Sequence, residues 1–156
     1  MLIEVKIGAL IMDPNTNTPI VVLKGINSET ILPIWVGAYE ANAIALEIEK
    51  VTAQRPVTHD LLKNFIVEVG FSLSKIIITD LRNNTFYALL ELKDRKGKIT
   101  VLDSRPSDAI ALALRLDCAI YVEEKVFDIS ARSSQSEPEP KHPTAETSEE
   151  WPDLIS

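Results

Sequence analysis

The 156-residue chain has a single cysteine, Cys118, which excludes an internal disulfide and any cysteine-rich zinc centre. A lone thiol suits a reducing compartment, and its place between a helical stretch and an apolar run predicts a buried, inert side chain. No apolar run approaches the roughly 20 residues that a membrane-crossing helix requires. The opening M-L-I-E-V-K-I-G lacks a basic n-region and is interrupted by Glu4 and Lys6, so it does not read as a signal peptide. These absences lead us to expect a soluble protein of the cytoplasm, or of the plastid stroma. Positive charge is also scarce, with 16 Lys and Arg against 23 Asp and Glu and a net charge of -7. Six of the acids lie beyond residue 130, and without that segment the body carries about -3. Coating nucleic acid by charge alone needs a basic face, which argues against such a role. No compact metal-binding motif is present.

What is there is enough apolar material, 46% of residues, for one domain with a real core. Leu2 to Met12 alternates, with Ile3, Val5 and Ile7 opposite Glu4 and Lys6, the period of a half-buried strand. Turn residues from Asp13 to Asn17 lead into a returning strand from Pro19 to Lys24, and Ile31 to Val36 makes a third, placed at an edge or a bulge by Pro33. Helices are predicted from Ala38 to Lys50, with an apolar stripe of Ala41, Ile44, Ala45, Ile48 and Val51, and from Thr58 to Gly70, with a stripe of Leu61, Leu62, Phe65, Ile66 and Val69. Strands at Phe71 to Thr79, Phe86 to Lys93 and Lys98 to Leu102 form an antiparallel meander, which delivers the chain to a third helix after Pro106. Ala119 to Val122 is a short strand and Glu123 to Ile129 a last helical turn. The fold class is α+β: a compact domain over residues 1–130, with a largely antiparallel or mixed sheet and three main helices.

Two junctions concentrate the polar chemistry. In D-S-R-P-S-D-A-I-A-L-A-L-R, residues 103–115, Pro106 suits a first helical position, where its missing N–H has no partner to lose. Ser107 and Asp108 fall in the opening turn, able to accept orphan N–H groups, and no polar side chain occurs from Ala109 to Leu114. In R-P-V-T-H-D-L-L, residues 55–62, Thr58 is the expected N-cap, with His59 and Asp60 in the first turn. His59 there is a candidate to carry a proton or bind a metal, or else a polar surface residue beside a cap. Glu40 stands in the first turn of its own helix, where a dipole-matched surface acid is the bland reading. Helix N-termini beside arginines suit a phosphate or carboxylate. Lys93, Arg95, Lys96 and Lys98 form the most basic spot, either a solvated hairpin tip or a phosphate contact.

From Ala131 the composition turns to Ser, Pro, Glu and Thr, with four of the nine prolines. An acidic tail over 131–156 that cannot support a core is expected to be disordered. Its only large apolar residues are Trp151, Leu154 and Ile155, which form either a docking peptide for a protein partner or part of a merely solubilising segment.

The segments L-P-I-W-V-G-A-Y-E-A (32–41), R-P-V-T-H-D-L-L (55–62), F-Y-A-L-L (86–90) and D-S-R-P-S-D-A-I-A-L-A-L-R (103–115) together resemble the bifunctional nuclease family. The resemblance spans about residues 3 to 128 and leaves the tail outside it. It implies a compact mixed α/β domain, a tendency to homo-oligomers, and activity on both DNA and RNA. It highlights Glu40, Arg55, His59, Asp60, Asp103, Arg105, Ser107, Asp108 and Arg115. From their chemistry, Asp103 and Asp108, with Glu40 or Asp60, are candidates to hold a magnesium or manganese ion, because hard cations choose oxygen. Arg55 and Arg105 would hold phosphate, with Arg115 added to the substrate-binding set. His59 would be the general base or acid, and Asp60, Asp108 and Glu40 complete the catalytic candidates. Ser107 would cap the helix or bind a phosphate oxygen. Two other readings fit the same residues: a non-catalytic adaptor whose Arg/Asp junctions are salt-bridged structure, and a sensor for a small anionic metabolite.

Overall fold

The computed structural model describes residues 1–135. Seven strands, β1 (Leu2–Met12), β2 (Pro19–Gly25), β3 (Ile31–Trp35), β4 (Ser72–Arg82), β5 (Thr85–Lys93), β6 (Ile99–Ser104) and β7 (Ala119–Glu123), form one sheet in the order β3-β2-β1-β7-β4-β5-β6. Two antiparallel runs, β1-β2-β3 and β4-β5-β6, are joined through β7, which pairs antiparallel with β1 and parallel with β4. The sheet is therefore mixed, as the alternating pattern and the meander lead one to expect. Pro33 sits on the edge strand β3, where its missing N–H costs no ladder bond. The other edge is β6.

Among the described residues four helices complete the fold: α1 (Ala38–Ile48), α2 (Thr58–Glu68), α3 (Pro106–Leu116) and α4 (Glu124–Gln135). At the sheet centre, Ile76 lies beside Ile120 and Ile78 beside Val122, and all four are buried. α3 packs on this face, and Ala109 to Ala113 are 2% exposed or less. An alanine-rich helix presents little bulk, so it can be buried between the sheet on one side and α1 and α2 on the other. Pro106 occupies the first helical turn as expected. α4 buries Val126 and Phe127 and runs to Gln135, five residues past the domain boundary expected at 130 and well beyond one turn. No helix among the described residues is long and apolar enough to cross a membrane.

The two apolar stripes read from helical spacing are only partly buried. In α1, Ala41, Ala43 and Ile44 are buried while Ile48 is half-exposed, as is Val51 beyond its end. α2 departs further from expectation. Of its stripe only Ile66 is buried, and Leu61, Leu62, Phe65 and Val69 stand open to solvent. The spacing puts those side chains on one face, as predicted, but among the described residues no element covers Leu61, Leu62, Phe65 and Val69. α2 ends as Gly70 foretold: with φ +86° it lets Gly70 N–H donate to Val67 O and Phe71 N–H to Ile66 O, satisfying the last carbonyls.

Candidate functional site

The N-termini of α1, α2 and α3 converge on one mouth of a cleft of about 1050 Å3. Gly37 opens α1, and the Glu40 side chain folds back over it so closely that a side chain at residue 37 would collide with the carboxylate. From there Glu40 Oε1 accepts a charge-assisted bond from Arg105 Nη2 at 2.9 Å. Arg105 Nε donates to Asp108 Oδ2 at 2.8 Å, and Asp108 Oδ1 lies 2.9 Å from His59 Nε2. Four expected site residues thus form one chain, Glu40–Arg105–Asp108–His59, assembled from three helices. The Arg105 side chain is 66% exposed and that of His59 only 11%, so the guanidinium faces solvent while the imidazole is held inside.

Burial disfavours the Asp108 carboxylate, but the hydrogen bonds from His59 and Arg105 and the Arg105 charge outweigh it, and its pKa lies below the usual value. The hydrogen bond and charge of Asp108, supported by Glu40, raise that of Arg105. Neither Ser107 nor Asp108 caps α3 as the sequence suggested, since no side chain bonds that helix's N-terminus. Asp108 is committed instead to His59 and Arg105. Ser107 is buried and does not line the cleft.

The second junction divides. Thr58 is not the N-cap of α2; Val57 is, and its N–H donates to Asp60 Oδ2 at 3.1 Å. Asp60 Oδ1 accepts from Arg115 Nε at 2.7 Å, and Arg115 Nη1 donates to Ala111 O at 3.0 Å. Glu47 Oε1 stands 3.9 Å from the same Nε. The Arg115 side chain is 2% exposed, so this is an internal clamp between α1, α2 and α3. Burial works against the Asp60 charge, yet Arg115 and the Val57 N–H prevail and lower its pKa. Asp60 and Arg115, expected in the site, line a separate small pocket. Arg55 is exposed, lines neither pocket and makes no ion pair among the described residues.

Asp103 lies on β6, exposed at the cleft rim, with no hydrogen-bonding partner among the described residues. A divalent ion held by Asp103 and Asp108 with Glu40 or Asp60 does not fit this arrangement. Both Asp108 oxygens already bond to cationic or N–H partners, Asp60 lies in the other pocket, and no three His, Cys, Asp or Glu side chains among the described residues come together to hold a metal. Behind the polar mouth the cleft is apolar, walled by Leu62, Phe65 and Val69 of α2 and floored by Leu90, Leu92 and Leu102 of β5 and β6. The reading from sequence did not single out Tyr39, Asn42, Thr100 and Ser104, which also line it. Tyr39 adjoins Glu40 and Ser104 adjoins Arg105, and both lie within the segments that carry the family resemblance. Cys118 is half-buried, and burial pushes its thiol up to about 11, consistent with an inert side chain.

Residues 21–135 match the family described as the bifunctional nuclease domain. An uncharacterised protein of Mycobacterium tuberculosis is 44% identical over 124 residues, covering 80% of this chain and 73% of that protein. Bifunctional nuclease 2 of Oryza sativa subsp. japonica is 32% identical over 98 residues, and bifunctional nuclease 1 of Oryza sativa subsp. indica 25% over 101 residues. Each match to a rice protein covers 30% of that protein's length.

Proposed function

The chain belongs to the bifunctional nuclease domain family, and from that premise we propose that the cleft mouth hydrolyses phosphodiester bonds in RNA and DNA with little sequence specificity. The observation that carries this reading is the Glu40–Arg105–Asp108–His59 chain at three helix N-termini. Helix N-termini attract anions, and Arg105 Nη1, outside both ion pairs, is free to meet a phosphate oxygen. Phosphodiester hydrolysis needs a base for the attacking water, charge stabilisation at phosphorus and a proton for the leaving oxygen. His59 carries the proton. With Nε2–H donating to Asp108, Nδ1 is left as the basic nitrogen, so Asp108 sets the tautomer and orientation. Arg105, held by Glu40 and Asp108, stabilises the phosphorane-like charge.

The reading is tested with purified full-length chain on labelled RNA, single-stranded DNA and duplex DNA, in magnesium, manganese or chelator. His59→Ala and Asp108→Asn are each expected to lower the rate at least ~100-fold, the scale of general acid–base catalysis. Equal residual activity in wild type and both variants would mean a contaminating nuclease. Loss of activity in chelator would bring a metal into the reaction despite the donor set. A second reading, a non-catalytic binding module, is favoured by one feature: Asp108 and Glu40 are already partnered within the chain, as in a purely structural ion network. It predicts that both variants bind nucleic acid like the wild type while none of the three cleaves it. A homo-oligomer, also part of this proposal, has two open sheet edges to use, β3 with Ile31 and Trp35 exposed and β6 with Ile99 and Val101 exposed. Sedimentation at two concentrations decides it.

A further inference from the structure

The apolar part of the cleft plays no part in the chemistry at its mouth. Leu62, Phe65, Val69 and Leu102 are 41%, 63%, 51% and 47% exposed along one trough, a contiguous apolar surface of the kind that marks a binding site. At the end away from the mouth the trough is cationic: the Arg95 guanidinium passes close over Gly70, beside the Val69 and Phe71 that line it. Lys93, Lys96 and Lys98 flank Arg95, and none of these four makes an ion pair among the described residues. The trough therefore asks for an occupant that is apolar along its length and acidic at the Arg95 end.

This chain carries such a segment. Trp151, Leu154 and Ile155 are spaced three and four apart and supply its apolar anchors. Glu149 and Glu150 precede them and Asp153 lies among them. Fifteen residues separate Gln135 from Trp151. Extended, such a spacer reaches about 50 Å, against a radius of gyration of about 14 Å for a domain this size, so the segment can reach any face of its own domain. Tethering raises its effective concentration to roughly millimolar, so weak contacts suffice.

We propose that the segment around Trp151 to Ile155 docks in the apolar trough of its own chain, with its acids toward the Arg95 turn. The docking stands on the trough and the segment alone. Its consequence, that the docked tail shields the mouth from nucleic acid, rests on the nuclease reading.

Trp35 is the other tryptophan, so full-length Trp35→Phe leaves Trp151 as the sole emitter. Its emission is expected to be blue-shifted and protected from acrylamide, independent of protein concentration. Adding Phe65→Ser and Leu62→Ser, at exposed positions where folding is spared, is expected to return it to that of a solvated tryptophan, as is raised salt in part. An emission already solvated in the parent overturns the proposal. So does a shift that ignores the trough substitutions, or one that vanishes on dilution and so assigns the trough to a second molecule. In the activity arm, Trp151→Ser/Leu154→Ser/Ile155→Ser is expected to raise the rate on RNA several-fold. Because the emission needs no substrate, a chain that shows the shift without any nuclease activity separates failure of the nuclease reading from failure of this one.

Discussion

Where the N-termini of the three helices meet, Arg105 joins Glu40 and Asp108; farther along the same helices, Arg115 joins Asp60 and Glu47. Both clusters use one arginine and two acids, and in both a first-turn aspartate is the closest partner. They differ in where the guanidinium lies. Arg115 is 2% exposed and spends Nε on Asp60 and Nη1 on the Ala111 carbonyl, whereas Arg105 is 66% exposed. His59 and Asp60, consecutive in α2, are about 100° apart around the helix axis, so one serves the mouth and the other the clamp. The same residue types at the same kind of position thus make structure when the arginine is sealed in and a candidate site when it faces a cleft.

That contrast is open to direct attack. Arg115→Met keeps much of the volume but removes the clamp's charge, and it is expected to cost about 3 kcal/mol as breaking a buried pair does. Arg105→Met should cost under about 1 kcal/mol, as for an exposed pair. Urea midpoints compare the two, and equal losses would dissolve the distinction. Activity should rank them the other way. Arg105→Met is expected to lower kcat/KM at least ~10-fold, about 1.4 kcal/mol of transition-state stabilisation, with a smaller change for Arg115→Met per folded molecule.

The acid limb sharpens the comparison. Asp60 and Asp108 both have folded pKa values below the ordinary one. Their stabilisation is therefore present above the unfolded pKa of about 3.9 and is lost as pH falls through the lower folded values. Unfolding midpoints measured from pH 6 downward should fall less steeply for Asp60→Asn, and likewise for Asp108→Asn, than for wild type. The smallest effect is reserved for Glu47→Gln. At 3.9 Å from Arg115 and 35% exposed, it should change stability by less than about 0.5 kcal/mol, readable in the same urea series.

Much of this was legible from residue order. Pro106 starting a buried helix, Gly70 closing another, Pro33 at an edge and the β4-β5-β6 meander all follow from local stereochemistry, which a few neighbouring residues decide. Glu40, His59, Arg105 and Asp108 were all among the candidates that the family resemblance highlights, and each stands at a helix N-terminus. The same resemblance highlights Asp60 and Arg115, and nothing local separated them from the others. Their pairing joins residues 55 positions apart, which sequence does not place.

What the sequence determined by itself was the set of elements, the mixed sheet and the stock of acids and arginines at the helix ends. Periodicity marks which side chains share a face, since 3.6 residues per turn is a property of the backbone. Whether another element covers that face depends on where distant segments pack. Only the tertiary structure decided that Phe65 and its neighbours on α2 line an open trough and do not fill a core, and that one arginine is sealed between helices while its counterpart faces solvent.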